Sequence, residues 1–349
     1  MRTKGVRQVA STFGGVPLLS GLKALEPLPA PEHLVSGLIR KGSVNLLVGY
    51  GSSGKTWFAS DLLLAVARGK PWFGKFDTKQ GKTLFLDWES GRYELCRRVQ
   101  ALARGKNADA FARNFRLCFV EGFMLGTEKA REELLAIATG RSLIIIDSLR
   151  AASNIDENDS RVRYILDQLR GVAEKTGCSF LVLHHAGKGK SKGNANSPAR
   201  ERPRGSSAIF DAADTVFDVD FANGTAKFTI TKYRHGPTPV PFSVRIADGK
   251  GGVTVKWTDQ EELDQAEKLS QFEDLKTAVL YVIHADPGCN KSTVEEQVES
   301  RGVSTRKAIA SLIDENLVVD RGNKKSSKLF LHDDETMTTH KKRNAQGKK

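Results

Sequence analysis

A chain of 349 residues, 39% of them hydrophobic, is long enough for one large α/β domain with a sizeable core and a small second domain. Its 54 lysines and arginines against 41 acids give a formal net charge of +13, which favours an anionic partner, nucleic acid before an acidic membrane surface. No apolar run approaches the roughly 18 residues needed to cross a bilayer, and Met1-Arg-Thr-Lys is followed by no hydrophobic signal core, so a cytoplasmic protein with no membrane partner is expected.

The four cysteines, Cys96, Cys118, Cys178 and Cys289, show no C-x-x-C spacing. They are expected to be reduced core residues, with neither a zinc site nor a disulfide framework.

Residues 1–29 contain glycine and proline with little periodicity and read as an arm or linker. From Leu34 to about Val255 short apolar runs alternate with helical patterns, as in a parallel sheet covered by helices. The runs are Val44–Val48, Thr83–Asp87, Phe115–Val120, Leu143–Asp147 and Phe180–His184. Helices are predicted over Thr56–Arg68, Tyr93–Ala103, Glu128–Thr139 and Ser160–Lys175. In the last, Val162, Ile165, Leu169 and Val172 form one apolar stripe.

Residues 186–204 hold six basic side chains among Gly, Ser, Asn and Pro, which predicts a mobile loop. Four antiparallel strands follow, over Thr215–Asp220, Lys227–Lys232, Val240–Ile246 and Gly252–Trp257, with turns at Asn223-Gly224 and Asp248-Gly249.

The predicted organisation is therefore an arm over 1–29, an α/β domain over 30–258, a charged linker over 259–269 and a small domain over 270–333. Residues 334–349 form a polar, basic tail expected to be disordered. Within the small domain, Leu275, Val279, Val282 and Ile283 mark one helix, Ser292–Ser300 a second and Ser304–Glu315 a third. Leu317-Val318-Val319 and Lys328–Leu331 then bracket a basic hairpin. Three helices followed by such a hairpin is the winged-helix pattern.

Chemistry concentrates first at residues 49–56, Gly49-Tyr50-Gly51-Ser52-Ser53-Gly54-Lys55-Thr56, between an apolar strand and a helix. This is a P-loop. Gly51 and Gly54 are expected to let the backbone curl so that its N–H groups point at phosphates, a nest closed by the next helix N-terminus. Lys55 would place an ammonium near the β/γ-phosphates, and the Thr56 hydroxyl would ligate Mg²⁺.

Asp147 ends the strand Leu143–Asp147, where a carboxylate holds a metal-bound water beside the γ-phosphate. Glu89, in Leu86-Asp87-Trp88-Glu89-Ser90, would polarise the attacking water, with Asp87 an alternative on geometry alone.

These residues together resemble the RecA-type ATPases, and specifically the plasmid RepA-like and DnaB-like hexameric helicases, over roughly residues 30–247. The resemblance implies a RecA-like α/β fold, with a mostly parallel sheet and antiparallel C-terminal strands, and ATP and Mg²⁺ as cofactors. Because Ser148 follows Asp147, it gives the water-activating role to Glu89. Leu183-His184-His185 matches the His-His pair of the RepA-like proteins, with His185 as γ-phosphate sensor. Arg204-Gly205-Ser206-Ser207 resembles the segment after their DNA-binding loop and adds Arg204 to the catalytic candidates. Lys232-Tyr233-Arg234-His235-Gly236-Pro237 matches the K-x-R-x-G-P element of DnaB-like enzymes, which makes Arg234 a finger reaching a neighbour's ATP and Lys232 its partner.

The same resemblance places the basic loop in a central channel. Lys188, Lys190, Lys192, Arg200 and Arg202 would then track single-stranded DNA through a homo-oligomeric ring, a hexamer by analogy. Arg306 and Lys307, at the start of the third C-terminal helix, are candidates for duplex contact. The leading expectation is a ring-forming replicative DNA helicase of a plasmid, phage or mobile element. The competing ones are a RecA/RadA-like recombination ATPase and an ATP-switched DNA-binding regulator.

Overall fold

The computed structural model describes residues 12–13, 16–104, 110–153, 162–185, 207–222, 224–249, 251–298, 302–323 and 326–332. The basic loop with Lys188, Lys190, Lys192, Arg200, Arg202 and Arg204, the tail 334–349, Asn223 of the first predicted turn and the hairpin residues Lys324 and Lys325 lie outside these residues.

Residues 1–32 form a unit of their own. In it β1 (Thr12–Phe13) pairs with β2 (Val16–Pro17), and α1 (Gly21–Ala24) is a single helical turn whose Ser20 Oγ accepts from Lys23 N–H. The segment read as an unstructured arm thus holds a capped turn, because Ser20 satisfies an otherwise orphaned donor.

The second unit begins with the pair β3 (His33–Val35) and β4 (Ile39–Arg40), then β5 (Val44–Gly49) and α2 (Lys55–Arg68). Next come β6 (Thr83–Asp87), α3 (Arg92–Ala103), β7 (Phe115–Phe119), α4 (Glu128–Ala138) and β8 (Leu143–Asp147). The chain continues through α5 (Leu149–Ala152), α6 (Val162–Thr176), β9 (Ser179–His185) and α7 (Ser207–Ala212). Strands β10 (Thr215–Ala222), β11 (Thr225–Tyr233), β12 (Phe242–Gly249) and β13 (Gly252–Thr258) complete a sheet of order β13-β12-β11-β10-β5-β9-β8-β6-β7. The strands from β10 to β7 pair in parallel, and β11, β12 and β13 are added antiparallel. This is the α/β fold with a mostly parallel sheet that the strand–helix alternation predicts.

Both faces of the parallel block are covered, so its strands read as continuous apolar runs rather than alternating ones. In β8, Leu143 and Ile145 enter one core while Ile144 and Ile146 enter the other. β9 divides the same way, with Leu181 and Leu183 against Phe180 and Val182. The first core takes α2 and α3; the second takes α4, α5 and α6.

An aromatic cluster joins the P-loop helix to the antiparallel strands. Phe228 packs against Phe58 at 5.1 Å, Phe73 at 5.3 Å and, stacked, Phe242 at 5.0 Å between ring centroids.

Edge position changes one expectation. β7 ends the sheet, and Cys118 there is exposed, not a core residue, since only alternate side chains of this edge strand meet the core. The Asp248-Gly249 turn also moves: Asp248 and Gly249 remain paired with Val253 and Gly252, so the chain reverses after them.

The charged segment 259–269 is no break either. Helix α8 runs unbroken over Gln260–Ala285, 26 residues with no glycine or proline, and stops ahead of Pro287-Gly288. Its second half packs with α9 (Lys291–Gln297), α10 (Gly302–Asp314) and the pair β14 (Val318–Asp320) and β15 (Leu329–Leu331) around Val279, Leu280, Ile283, Ile309 and Leu312. Lys276 of α8 is buried and meets Glu315 just beyond α10 at 2.6 Å.

Replacing Phe228 by alanine should empty the centre of the aromatic cluster and cost about 3–5 kcal/mol of stability. Chemical denaturation of the variant against the parent protein measures this, as a lowered midpoint at unchanged slope.

Candidate nucleotide site

Parallel strands share one carboxyl edge, and the register aligns four of them there. Gly49 at the end of β5 pairs with His185 at the end of β9, and Asp87 of β6 with Asp147 of β8. Such an edge is where open α/β sheets bind ligands.

From it the chain curls through residues 50–54 into α2. The left-handed backbone falls at Ser52 (φ 64°) and Gly54 (φ 80°). Gly51, expected to share in the curl, has no such φ, and a Cβ built on it would meet nothing within 4 Å. Gly49 is the position without room: a Cβ there would lie 2.5 Å from Ser53 Oγ and 2.9 Å from the Val219 carbonyl oxygen.

Lys55 opens α2, and only 7% of it is exposed. Its ammonium donates to the Gly49 and Tyr50 carbonyls, both at 2.8 Å. Burial lowers its pKa, opposed by the carboxylates of Asp147 and Glu89. One residue on, Thr56 Oγ1 donates to Asp147 Oδ2 at 2.9 Å. Asp147 is buried, and desolvation lifts its pKa to about 6 even though the Thr56 hydrogen bond pulls the other way. The peptide joining it to Ser148 is cis.

The pair Asp87 and Glu89 separates by environment. Asp87 is buried and spends its carboxylate on the turn, accepting from Ser90 N–H at 3.0 Å and Gly91 N–H at 2.7 Å. Glu89 is partly exposed and meets His185 Nε2 at 3.2 Å. That hydrogen bond, with further help from Ser148 and Lys55, holds Glu89 down at about 2 despite partial burial. His184, one residue earlier, is buried in the sheet.

The donor set fits a triphosphate with a divalent cation. The buried ammonium rests on its own loop, and a hydroxyl and a carboxylate lie side by side at the helix N-terminus. Among the described residues no group of three or more His, Cys, Asp or Glu could hold a metal. Thr56 and Asp147 would therefore share the ion with phosphate oxygens and water.

Beside the loop is a pocket of about 450 Å³, lined by Tyr50, Gly51, Ser52 and Ser53 and by Val219 to Ala222 of β10. Nothing in the P-loop motif signals it, because β10 lies some 170 residues further along the chain.

Lys232 and Arg234 are elsewhere. Thr215 pairs with both Asn45 and Tyr233, which places the end of β11 at the amino edge of β5, opposite the P-loop. There Lys232 Nζ donates to the Phe210 and Asp211 carbonyls at 2.8 Å, and burial brings its pKa down to about 8. Arg234 donates to the Asp211 carbonyl and lies 3.6 Å from Asp214. Asp214 itself accepts from Val44 N–H at 2.9 Å, an anchor that sequence reading passed over. In the C-terminal bundle Arg306 is bound to Glu295 of α9 at 2.6 Å, and Lys307 is exposed.

Fold and site together define a RecA-like P-loop ATPase. The profile of the AAA domain family matches residues 17–191, half of the chain, and the protein belongs to that family. The chain is also similar to a solved helicase ATPase domain (16% identity, TM-score 0.46, covering 61% of this chain and 85% of that one). It is similar to the RadB recombinase (18%, 0.45, covering 61% and 90%). A third similar structure is the KaiC-like protein PH0186 from the hyperthermophilic archaeon Pyrococcus horikoshii OT3 (16%, 0.42, covering 64% and 93%). No helix among the described residues is long and apolar enough to cross a membrane.

Gly49→Ala should lose about 1–3 kcal/mol through overpacking, whereas Gly51→Ala should stay within about 0.5 kcal/mol of the parent, as read by denaturant midpoints. Asp147 must be ionised to serve a cation, so metal-dependent nucleotide affinity should hold above pH 6 and fall as the pH drops through its raised pKa. The same raised pKa means that folded Asp147 binds its proton more tightly than the unfolded chain does. Its contribution therefore favours folding below about pH 4 and is lost as the pH rises through about 6. Calorimetric titration of nucleotide between pH 5 and 8, on parent and Asp147→Asn, separates this group from others.

Proposed function

We propose that the protein is an ATP-hydrolysing, Mg²⁺-dependent motor that acts on DNA as an oligomer. The form we favour is a ring-forming replicative DNA helicase of a plasmid, phage or mobile element. The observation that carries the reading is the division of charged groups between the two edges of one sheet. Lys55, Thr56, Glu89, Asp147 and His185 gather at the carboxyl edge, and Lys232 with Arg234 at the amino edge. Four residue steps of β5 separate Asn45 from Gly49, roughly 13 Å of strand before the loop begins. Arg234 is out of reach of its own P-loop. A second subunit presenting its carboxyl edge to Arg234 would complete the site, which ties hydrolysis to assembly.

In that assembled site Lys55 exchanges the Gly49 and Tyr50 carbonyls for β- and γ-phosphate oxygens. Thr56 ligates Mg²⁺ and Asp147 holds one of its waters. Glu89, kept ionised by its low pKa, orients the attacking water and polarises it rather than storing its proton. His185 leaves Glu89 for the γ-phosphate and so reports its presence. Arg234 and Lys232 of the neighbour stabilise charge developing on the transferring phosphoryl.

The +13 net charge supports a nucleic-acid partner. We assign single-stranded DNA to the basic loop, Lys188, Lys190, Lys192, Arg200 and Arg202, and place Arg204 just beyond it. The C-terminal bundle we read as a winged helix. Lys307, exposed on α10, and Arg321 and Lys328 of the hairpin would meet duplex phosphates, with Arg306 joining them once it leaves Glu295.

Mixing two inactive variants tests the shared site. Arg234→Ala should cut turnover by roughly 10³-fold or more, and Lys55→Ala should abolish it. An equimolar mixture should regain activity, because some interfaces then pair an intact P-loop with an intact Arg234. A mixture as inactive as its parts would refute the trans arrangement. Displacement of a strand from a forked duplex with ATP and Mg²⁺ tests the motor claim, which fails if hydrolysis proceeds without displacement.

A further inference from the structure

The phosphate loop accounts for half of a nucleotide, and the pocket beside it has no part in the chemistry above. Its position follows from the register. Val219 of β10 pairs with Gly49, the last residue of β5, so Asp220, Phe221 and Ala222 run on past the sheet alongside the loop. The strand stays extended there because Phe221 and Ala222 remain paired with Ala226 and Thr225 of β11. A two-stranded tongue thus faces residues 50–53 across a space of about 450 Å³. Two aromatic side chains line that space from opposite walls: Tyr50, 42% exposed, from the loop, and Phe221, 38% exposed, from the tongue. Exposed aromatics are costly to leave in water on a strand tip, and rings flanking a pocket of this size are what a planar heterocycle stacks on.

We propose that this pocket receives the base of the nucleoside triphosphate and that Phe221 and Tyr50 grip it by stacking. This rests on the reading of residues 49–56 as the phosphate site. The pocket shares residues 50–53 with that loop, so a nucleotide whose phosphates lie in the nest has its base end within reach of the tongue. Phe221 is a specificity residue here: it selects a flat aromatic base over a bare polyphosphate and has no role in bond making. Stacking uses the π-face that every base has, so the grip discriminates weakly between adenine and guanine.

The test compares ATP, GTP and inorganic tripolyphosphate by displacement of a fluorescent ATP analogue, with no turnover required. Phe221→Ala should weaken ATP and GTP together, by roughly 10-fold or more, and leave tripolyphosphate affinity unchanged. Phe221→Trp should restore nucleotide binding, which a merely structural role would not explain. Equal loss of all three ligands, or no loss of any, would overturn the proposal. Failure of the underlying reading looks different: Lys55→Ala would then bind ATP and tripolyphosphate as well as the parent does. Phe221 is partly exposed at a strand end, and the melting temperature of each variant shows that the fold survives.

Discussion

Parallel strands end together, and in this protein that register sets the position of every group in the candidate site. Gly49, Asp87, Asp147 and His185 terminate four strands at one edge. Two carboxylates and an ammonium are thereby brought within electrostatic range of one another, and burial then sorts them. Asp147, deepest, is pushed toward neutrality, while Glu89, nearer to water and bonded to His185, is pushed toward permanent charge. A divalent cation beside Asp147 would reverse its shift, so the metal supplies the charge that the buried carboxylate lacks. The same register sends the end of β11 to the far edge, and this makes Arg234 a residue for a neighbour.

Much of this was legible in the chain. β6 and β8 fall on the residues that their apolar runs mark, and α2, α3 and α4 begin or end within a residue or so of their patterns, because a sheet covered on both faces leaves little ambiguity in hydrophobic runs. The P-loop was legible through its spacing. Its backbone was not: the motif points to Gly51, yet the left-handed residue is Ser52. A motif records which residues are tolerated at a position, not which φ each one adopts.

The failures share a cause, dependence on distant parts of the chain. Cys118 sits in an apolar run, but exposure depends on β7 being the last strand of the sheet. Choosing between Asp87 and Glu89 required knowing that Asp87 is taken up by the turn N–H groups and that His185, 96 residues on, meets Glu89. The pocket at Tyr50 and Phe221 joins two walls that only the β5–β10 pairing brings together. The linker over 259–269 was misjudged for a different reason. Charge density suggested a flexible connection, although glutamate, lysine, glutamine and leucine are all good helix formers.

That correction alters how the two ends of the molecule are mechanically related. A single residue, Asp259, separates β13 from α8, and α8 then runs without interruption into the C-terminal bundle. At 1.5 Å per residue it is a stiff rod about 39 Å long. A flexible tether would absorb a small rotation of the outer strands, whereas a rod multiplies it: about ten degrees at the base sweeps the far end through roughly 7 Å. The bundle is held as a lever arm is held, with its aim fixed by the sheet.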